Sequence, residues 1–178
     1  MKLILLTFVL SFTLNTFALD KFSFSYKEKS ILKVLADYSD KTGTQFVVDP
    51  SVKGNISILS PEKVTPQEAF NALSSGLALN GYTIVKEANS YRVVRARTAQ
   101  RFNLEIFEDL PPLQPERMVI YVHKLKNRKP DDIYRNLRIL NSKDGESHID
   151  EKTKTIIITD WVSSIYRINA LLNKIDKI

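Results

Sequence analysis

Few residues in this sequence could do chemistry, and they do not cluster. His123 and His148 are its two histidines, and neither stands with an Asp or Glu at the spacing of metal ligands. Asp131 and Asp132 are adjacent acids, but carboxylates are also favoured in the first turn of a helix. Trp161 is interpreted as a packing residue at the start of the last helix. The sequence therefore predicts no catalytic residue, no metal site and no cofactor.

The junction DPSVKG, residues 49–54, is a further candidate for a ligand site because it ends in glycine between two apolar runs. Asp49 can accept a hydrogen bond from the backbone two residues on, Pro50 fixes a turn dihedral, and Gly54 tolerates positive φ. A phosphate loop would instead need several glycines leading into a helix. Gly54 leads into an apolar run typical of a strand, so the junction is interpreted as a turn.

The elements around this junction begin with a strand and a helix. Phe22, Phe24 and Tyr26 alternate with Ser23 and Ser25, which is the period of a half-buried strand. The following helix has a buried stripe and a glycine suited to a left-handed C-terminal cap. These residues are Ile31, Val34, Leu35 and Tyr38, with Gly43 as the cap.

A second helix is predicted from Thr65 as N-cap, Pro66 at the first helical position and Glu68 completing a capping box. Two short strands precede it and a hairpin follows it. The order β-α-β-β-α-β-β places two amphipathic helices against a small sheet. The sequence thus predicts a first domain over residues 19–97.

Proline marks the next segment. Pro111, Pro112 and Pro115 are three of the seven prolines, and such a stretch favours an extended, semi-rigid connection. Residues 98–116 are therefore predicted to be a linker. The apolar residues within Phe102 to Phe107 favour docking of this piece, either on its own chain or on a partner. Residues 117–178 then repeat a strand, a helix, a strand pair and a helix, which predicts a second small domain.

The N-terminus indicates export. Lys2 precedes a short apolar run, and Thr16 and Ala18 are small residues at the positions that signal peptidase requires. Residues 1–18 are predicted to be a signal peptide, so the mature chain would begin at Leu19 without a membrane span, an uncleaved anchor being the alternative. The absence of cysteine excludes thiolate catalysis, Cys-ligated zinc and disulfides. With 43% hydrophobic and 26% charged residues the chain is typical of a globular protein, and its net charge of +6 does not by itself indicate nucleic acid.

The stretch from FSFSY through VVDPSVKGNISI, LNGYTIV and YRVVRA resembles the first periplasmic domain of bacterial secretins, the outer-membrane channels of type II secretion and type IV pilus machines. The stretch from VIYVHKL through KTIIITDW to the last helix resembles the KH-like β-α-β-β-α domain that follows in those proteins. The resemblance implies an α+β protein of two small sandwich domains. In the family a β-rich pore domain comes later, so we expect this sequence not to form a pore by itself.

The resemblance also implies a function and a place. It favours a non-enzymatic periplasmic component of a secretin-type machine, associated with the outer-membrane secretion complex and able to join a ring-associated oligomer. Its partners would be envelope proteins, including a secretin or an inner-membrane assembly component. One alternative is a free-standing sensing or binding module, because the first domain also resembles the signalling domain of TonB-dependent receptors. The other is a nucleic-acid-binding KH protein, but such modules use a GXXG loop and the second domain has only Gly145.

The surface expected to bind a partner follows from the small sheet. Edge strands expose unpaired backbone N–H and C=O groups that can accept a strand from another chain. The predicted edges are the runs from Phe22 to Tyr26 and from Asn55 to Leu59. Side chains alternate along a strand, so the positions facing a partner are Ser23, Ser25 and Ser57, between the inward residues Phe22, Phe24, Tyr26, Ile56 and Ile58.

Overall fold

The computed structural model describes residues 21–137 and 139–177; the predicted signal peptide and Leu19 lie outside them. The first half of the chain contains β1 (Tyr26–Ser30), α1 (Ile31–Thr42), β2 (Phe46–Val48), β3 (Asn55–Ile58), α2 (Pro66–Leu79), β4 (Tyr82–Lys86) and β5 (Tyr91–Arg95). A 3₁₀ helix (Ala96–Arg101) and β6 (Ile106–Phe107) follow. The second half contains β7 (Met118–Lys124), α3 (Pro130–Leu137), β8 (Glu146–Asp150), β9 (Thr155–Trp161) and α4 (Val162–Ile175). The mixed α+β class predicted from the sequence is confirmed.

Two helices and two small sheets form the first half. β1 pairs antiparallel with β3, while β5 lies between β2, to which it is parallel, and β4, to which it is antiparallel. The predicted stripe of α1 is buried in the core between these layers. The helix ends as expected: Gly43 has φ 72° and its N–H donates to the carbonyl of Ser39 at 2.8 Å.

The capping box of α2 is also confirmed. The Glu68 N–H donates to the Thr65 hydroxyl at 3.2 Å, and the Thr65 N–H donates to the Glu68 carboxylate at 2.8 Å. Pro66 is the first residue of the helix, where its missing N–H is no loss. Local sequence thus fixes where α2 begins, and its buried face, which includes Leu73 and Leu77, fixes its packing.

A four-stranded sheet in the order β6-β7-β9-β8 forms the second half. β7 and β9 are antiparallel over seven aligned pairs, from Met118 opposite Trp161 to Lys124 opposite Thr155. α4 covers this sheet with Ile165, Ile168 and Leu172, all fully buried. The long unbroken register and the apolar helix face together make this sheet the most regular part of the described chain.

The segment predicted to be a linker is docked on its own chain. Leu104 is only 6% exposed, and Ile106 and Phe107 form β6, which pairs parallel with β7. Farther along, the hydroxyl of Tyr166 on α4 donates to the Pro111 carbonyl at 2.8 Å. The structure therefore favours docking on the chain over docking on a partner, the two alternatives that the apolar residues left open.

A third apolar cluster, which we call the junction cluster, joins the two halves. Its buried members come from β4, β5, the 3₁₀ helix, the segment just before β6, β7 and the end of β9. They are Val85, Val94, Ala96, Ala99, Leu104, Met118 and Trp161. Within this cluster the Met118 N–H donates to the Thr83 hydroxyl at 2.9 Å. Trp161 is buried here, as expected for a packing residue.

The first predicted strand is displaced in the structure. The sequence places it at residues 22–26, but β1 begins only at Tyr26. Phe22 makes an isolated antiparallel bridge with Val64, with N–H to carbonyl distances of 3.0 and 2.9 Å. The alternation predicts burial correctly, since Phe24 is fully buried and Ser23 and Ser25 are exposed. The backbone of Phe22, however, is hydrogen-bonded to Val64 instead of to a neighbouring strand.

Candidate partner-binding surface

The β1–β3 pair contains part of the surface that the sequence predicted for partner binding: Tyr26 of the first predicted edge, and Asn55 and Ser57 of the second. Its aligned pairs are Tyr26 with Ile58, Lys29 with Ile56 and Ser30 with Asn55, and the register shifts between Tyr26 and Lys29. Such a bulge adds an unpaired residue and increases the local twist of a strand.

Glu28 lies at this bulge, with φ 49°. Its N–H donates to the hydroxyl of Ser57 at 2.9 Å, so a side chain of β3 binds the backbone group that the bulge leaves unpaired. Ser57 therefore has a structural contact in addition to its exposed position on β3.

Of the first predicted edge, Phe22 to Tyr26, only Tyr26 belongs to a strand, and that strand, β1, pairs with β3 of the second predicted edge. β1 and β3 form a sheet of their own, and among residues 21–137 and 139–177 neither pairs with a third strand. Each strand therefore keeps one outer side whose backbone groups are not used by the sheet. Asn55, Ser57 and Leu59 are exposed on β3 and just after it, Leu59 by 78% of its surface.

A polar network that the sequence did not predict holds the entry to β1. The Tyr26 hydroxyl donates to the Asp37 carboxylate, and the ammonium nitrogen of Lys41 lies 2.7 Å from the same carboxylate. Lys41 also donates to the Ser23 carbonyl at 3.1 Å. The spacing of Asp37 and Lys41 could have revealed their i,i+4 pair on α1. No local pattern links Tyr26 to them, because this contact arises from the packing of β1 on α1.

The electrostatics of this network follow from burial and hydrogen bonding. Burial, followed by the hydrogen bond to Asp37, raises the pKa of Tyr26. Burial also works to raise the pKa of Asp37, but hydrogen bonds from Lys41 and Tyr26 outweigh it and hold that pKa below its ordinary value. Lys29 lies 4.8 Å from the centre of the Tyr26 ring. The network thus places an ionised carboxylate and two cations beside β1, a surface suited to recognition.

The other candidates from the sequence lie on different elements of the second half. His148 is exposed on β8, with Nε2 3.4 Å from Glu146. His123 is half-buried on β7, and burial lowers its pKa. A hydrogen bond with Asp131 raises the pKa of Glu151. Within the part of the chain that the structure describes, no group of three or more His, Cys, Asp or Glu residues is placed to hold a metal ion.

The DPSVKG junction is a turn, as predicted. The Ser51 N–H donates to the Asp49 carboxylate at 2.8 Å, and Gly54 has φ 113°, a backbone conformation that favours glycine. The Gly54 carbonyl accepts from the Ile31 N–H at 3.1 Å, which joins the turn to the start of α1.

Comparison with known proteins supports the resemblance seen in the sequence. Residues 24–93 match the family model described as GspD-like, N0 domain. The chain is 24% identical over 162 residues to the secretin PulD of Klebsiella pneumoniae and 25% identical over 153 residues to the secretin XcpQ of Pseudomonas aeruginosa. These matches cover 89% and 85% of this chain but only 24% and 22% of the relatives, so the chain spans about a quarter of their length.

A solved structure has the same fold. The Klebsiella pneumoniae type II secretion outer-membrane complex, which contains PulD, PulS and the PulC HR domain, matches with a TM-score of 0.75 and 23% identity over 86% of this chain and 26% of that one. The family match and the secretin relatives, together with this fold, confirm the predicted resemblance to the N-terminal domains of secretins. In the described residues no helix is both long enough and apolar enough to cross a membrane.

Proposed function

We propose that this protein is a non-enzymatic periplasmic component of a secretin-type machine that binds envelope partners through its N-terminal units. The observation that carries the proposal is the N0 match over residues 24–93 combined with an exposed β1–β3 pair inside that range. The homology favours a protein of the secretion machinery, and the exposed β1–β3 pair could bind a partner strand.

The proposed mode of binding is addition of a strand to the outer side of β1 or β3. Main-chain hydrogen bonds to an edge provide affinity, while alternate side chains provide specificity. On β3 the exposed positions Asn55 and Ser57 are small and polar and leave the backbone accessible. Lys27 and Lys29 are exposed on β1 and would favour a partner strand with acidic residues.

We propose an inner-membrane assembly component as the partner. The solved complex that matches this fold contains the PulC HR domain together with PulD. We propose that a protein of this kind meets the N0-like half of this chain at the β1–β3 pair. The identity of that partner would show whether the pathway is protein secretion or pilus assembly.

Domain boundaries and export belong to the same proposal. The units would be residues 19–97 and 117–178 joined by 98–116, with β6 of the joining segment added to the second sheet. Residues 1–18 would be removed on export to the periplasm. Intact-mass measurement of the periplasmic protein should give a chain beginning at Leu19, and a species retaining residues 1–18 would contradict export by cleavage.

Two exposed leucines provide a matched test of the surface. Leu59, just after β3, and Leu79, at the end of α2, are exposed by 78% and 86%. Leu59→Ser should reduce capture of an inner-membrane secretion component from envelope extracts, whereas Leu79→Ser should not. Circular dichroism would confirm that both variants are folded. Equal capture by both variants and the parent chain would overturn the proposed surface.

A further inference from the structure

A cavity of about 280 Å³ lies between the first half of the chain and the segments that lead into β6 and β7. Tyr38, Phe70 and Tyr91 line it from the first half, and Pro115 and Arg117 line it from the segment that leads into β7. This volume is near the lower end of the range found for small-molecule sites. The cavity lies apart from the outer sides of β1 and β3, so it is a second candidate site.

The apolar wall is an ordered group of aromatic rings. Phe70 and Tyr91 have ring centroids 5.0 Å apart, and Tyr38 and Phe70 have centroids 5.9 Å apart. The Tyr38 hydroxyl donates to the Pro66 carbonyl at 3.1 Å, which fixes the ring. Aromatic rings held in place in this way favour a ligand that is itself flat and apolar on one side.

Three of the charged groups around the cavity are already engaged. Arg117 Nε lies 2.6 Å from Glu105 Oε2, so these two charges neutralise each other. Both carboxylate oxygens of Glu116 accept bonds from Ser163, at 3.3 Å from its N–H and 2.6 Å from its hydroxyl. Glu116 is thereby directed to the start of α4, where a negative charge is favourable.

Lys86 is the lining charge that remains. It has no ion-pair partner in the part of the chain that the structure describes. Lys86 lies opposite Tyr91 across the β4–β5 pair, so their side chains share one face of the sheet. An ammonium group therefore lies beside the aromatic wall, where an anion could pair with it.

We propose that this cavity binds a small aromatic carboxylate, either free or as the last residue of a peptide. The aromatic ring packs against Phe70 and Tyr91, and the carboxylate pairs with Lys86. The ligand contacts both the first half and the segment around Arg117.

The test is an NMR titration of the full ¹⁵N-labelled chain with N-acetylphenylalanine and, separately, with its uncharged amide. Saturable shifts are expected at Lys86, Tyr91 and Arg117, with affinity for the acid about tenfold higher than for the amide, equivalent to about 1.4 kcal/mol. Lys86→Gln should remove this preference, while Lys33→Gln, at an exposed position on α1, should keep it.

Two peptides distinguish the sources of the carboxylate. A hexapeptide ending in phenylalanine with a free carboxylate is compared with the same peptide carrying a C-terminal amide. Tighter binding of the free-acid peptide than of N-acetylphenylalanine assigns the cavity to peptide termini, and the reverse assigns it to a small molecule. Equal affinity for acid and amide, shifts away from the cavity, or no binding of any of the four probes would overturn the proposal.

Discussion

The β1–β3 pair and the β7–β9 pair are both antiparallel, but they are held in different ways. β7 and β9 keep register over seven pairs and lie between two further strands. β1 and β3 align at three positions around a bulge, and neither has another strand beside it in the described residues. Regular pairing with buried faces makes the β7–β9 pair a scaffold, whereas the short, bulged β1–β3 pair has backbone groups available for a partner.

The largest expected effect is on the scaffold. Ile158 on β9 is fully buried in the core of the second half. Ile158→Ala should lower the free energy of unfolding by about 3 kcal/mol because it removes buried methyl groups and leaves a cavity. Chemical denaturation would measure this change. Partner capture by the folded fraction should not change, and a large loss of capture by fully folded variant protein would contradict the division between scaffold and surface.

A pair of aspartates compares the polar contacts of the two regions. Asp176, after α4, is 7% exposed and accepts backbone N–H bonds from Lys126, Asn127 and Arg128 at 2.7, 3.0 and 2.9 Å. Asp176→Asn should cost about 2 kcal/mol, since bonds to a charged acceptor are lost or weakened. Asp37→Asn beside β1, where the side chain is 31% exposed, should cost about 0.5 kcal/mol.

The contribution of Asp176 to stability should depend on pH with a definite sign. Burial works to raise the pKa of Asp176, but the three backbone N–H bonds outweigh it and lower the pKa below its ordinary value. The resulting stabilisation is present above the pKa of an unfolded aspartate and is lost as pH falls through the folded pKa. Denaturation from pH 7 toward pH 3 should therefore show a smaller decline for Asp176→Asn than for the parent chain. An identical decline would remove Asp176 from this account.

A proline on β3 tests the partner-binding surface and should affect stability less than Ile158→Ala or Asp176→Asn. Ser57→Pro removes a backbone N–H and the hydroxyl that accepts from Glu28, and should cost about 1 kcal/mol. We expect partner capture to fall while circular dichroism remains that of a folded protein. Ser57→Ala is the control for the hydroxyl alone. If Ser57→Pro leaves capture unchanged, strand addition to β3 is wrong.

Residues close together in the sequence predicted the helices and strands better than they predicted which elements pack or pair with each other. The capping box at Thr65, the glycine after α1 and the helix from Val162 to Ile175 follow from residues close in sequence, and the structure confirms them. The pairing of β1 with β3 and the bond from Tyr26 to Asp37 depend on contacts across the core, which periodicity does not report.

The same limit applies to the predicted linker. Proline content indicated an extended segment, but not that β6 would pair with β7 or that Leu104 would join the junction cluster. The resemblance to secretins was visible because its motifs are contiguous stretches of sequence. The sequence does not predict the aromatic cavity, because its lining residues lie far apart along the chain, from Tyr38 in the first domain to Arg117 after the predicted linker.

Hydrogen–deuterium exchange on the full chain, with and without the periplasmic domain of the captured inner-membrane component, tests the central claim most directly. Strand addition should slow exchange of backbone amides within Tyr26–Ser30 or Asn55–Ile58, because their N–H groups become hydrogen-bonded to the partner. Amides of β7 and β9 should exchange at the same rate in both states. Protection confined to the second half, or no protection of β1 and β3 at saturating partner, would contradict the account.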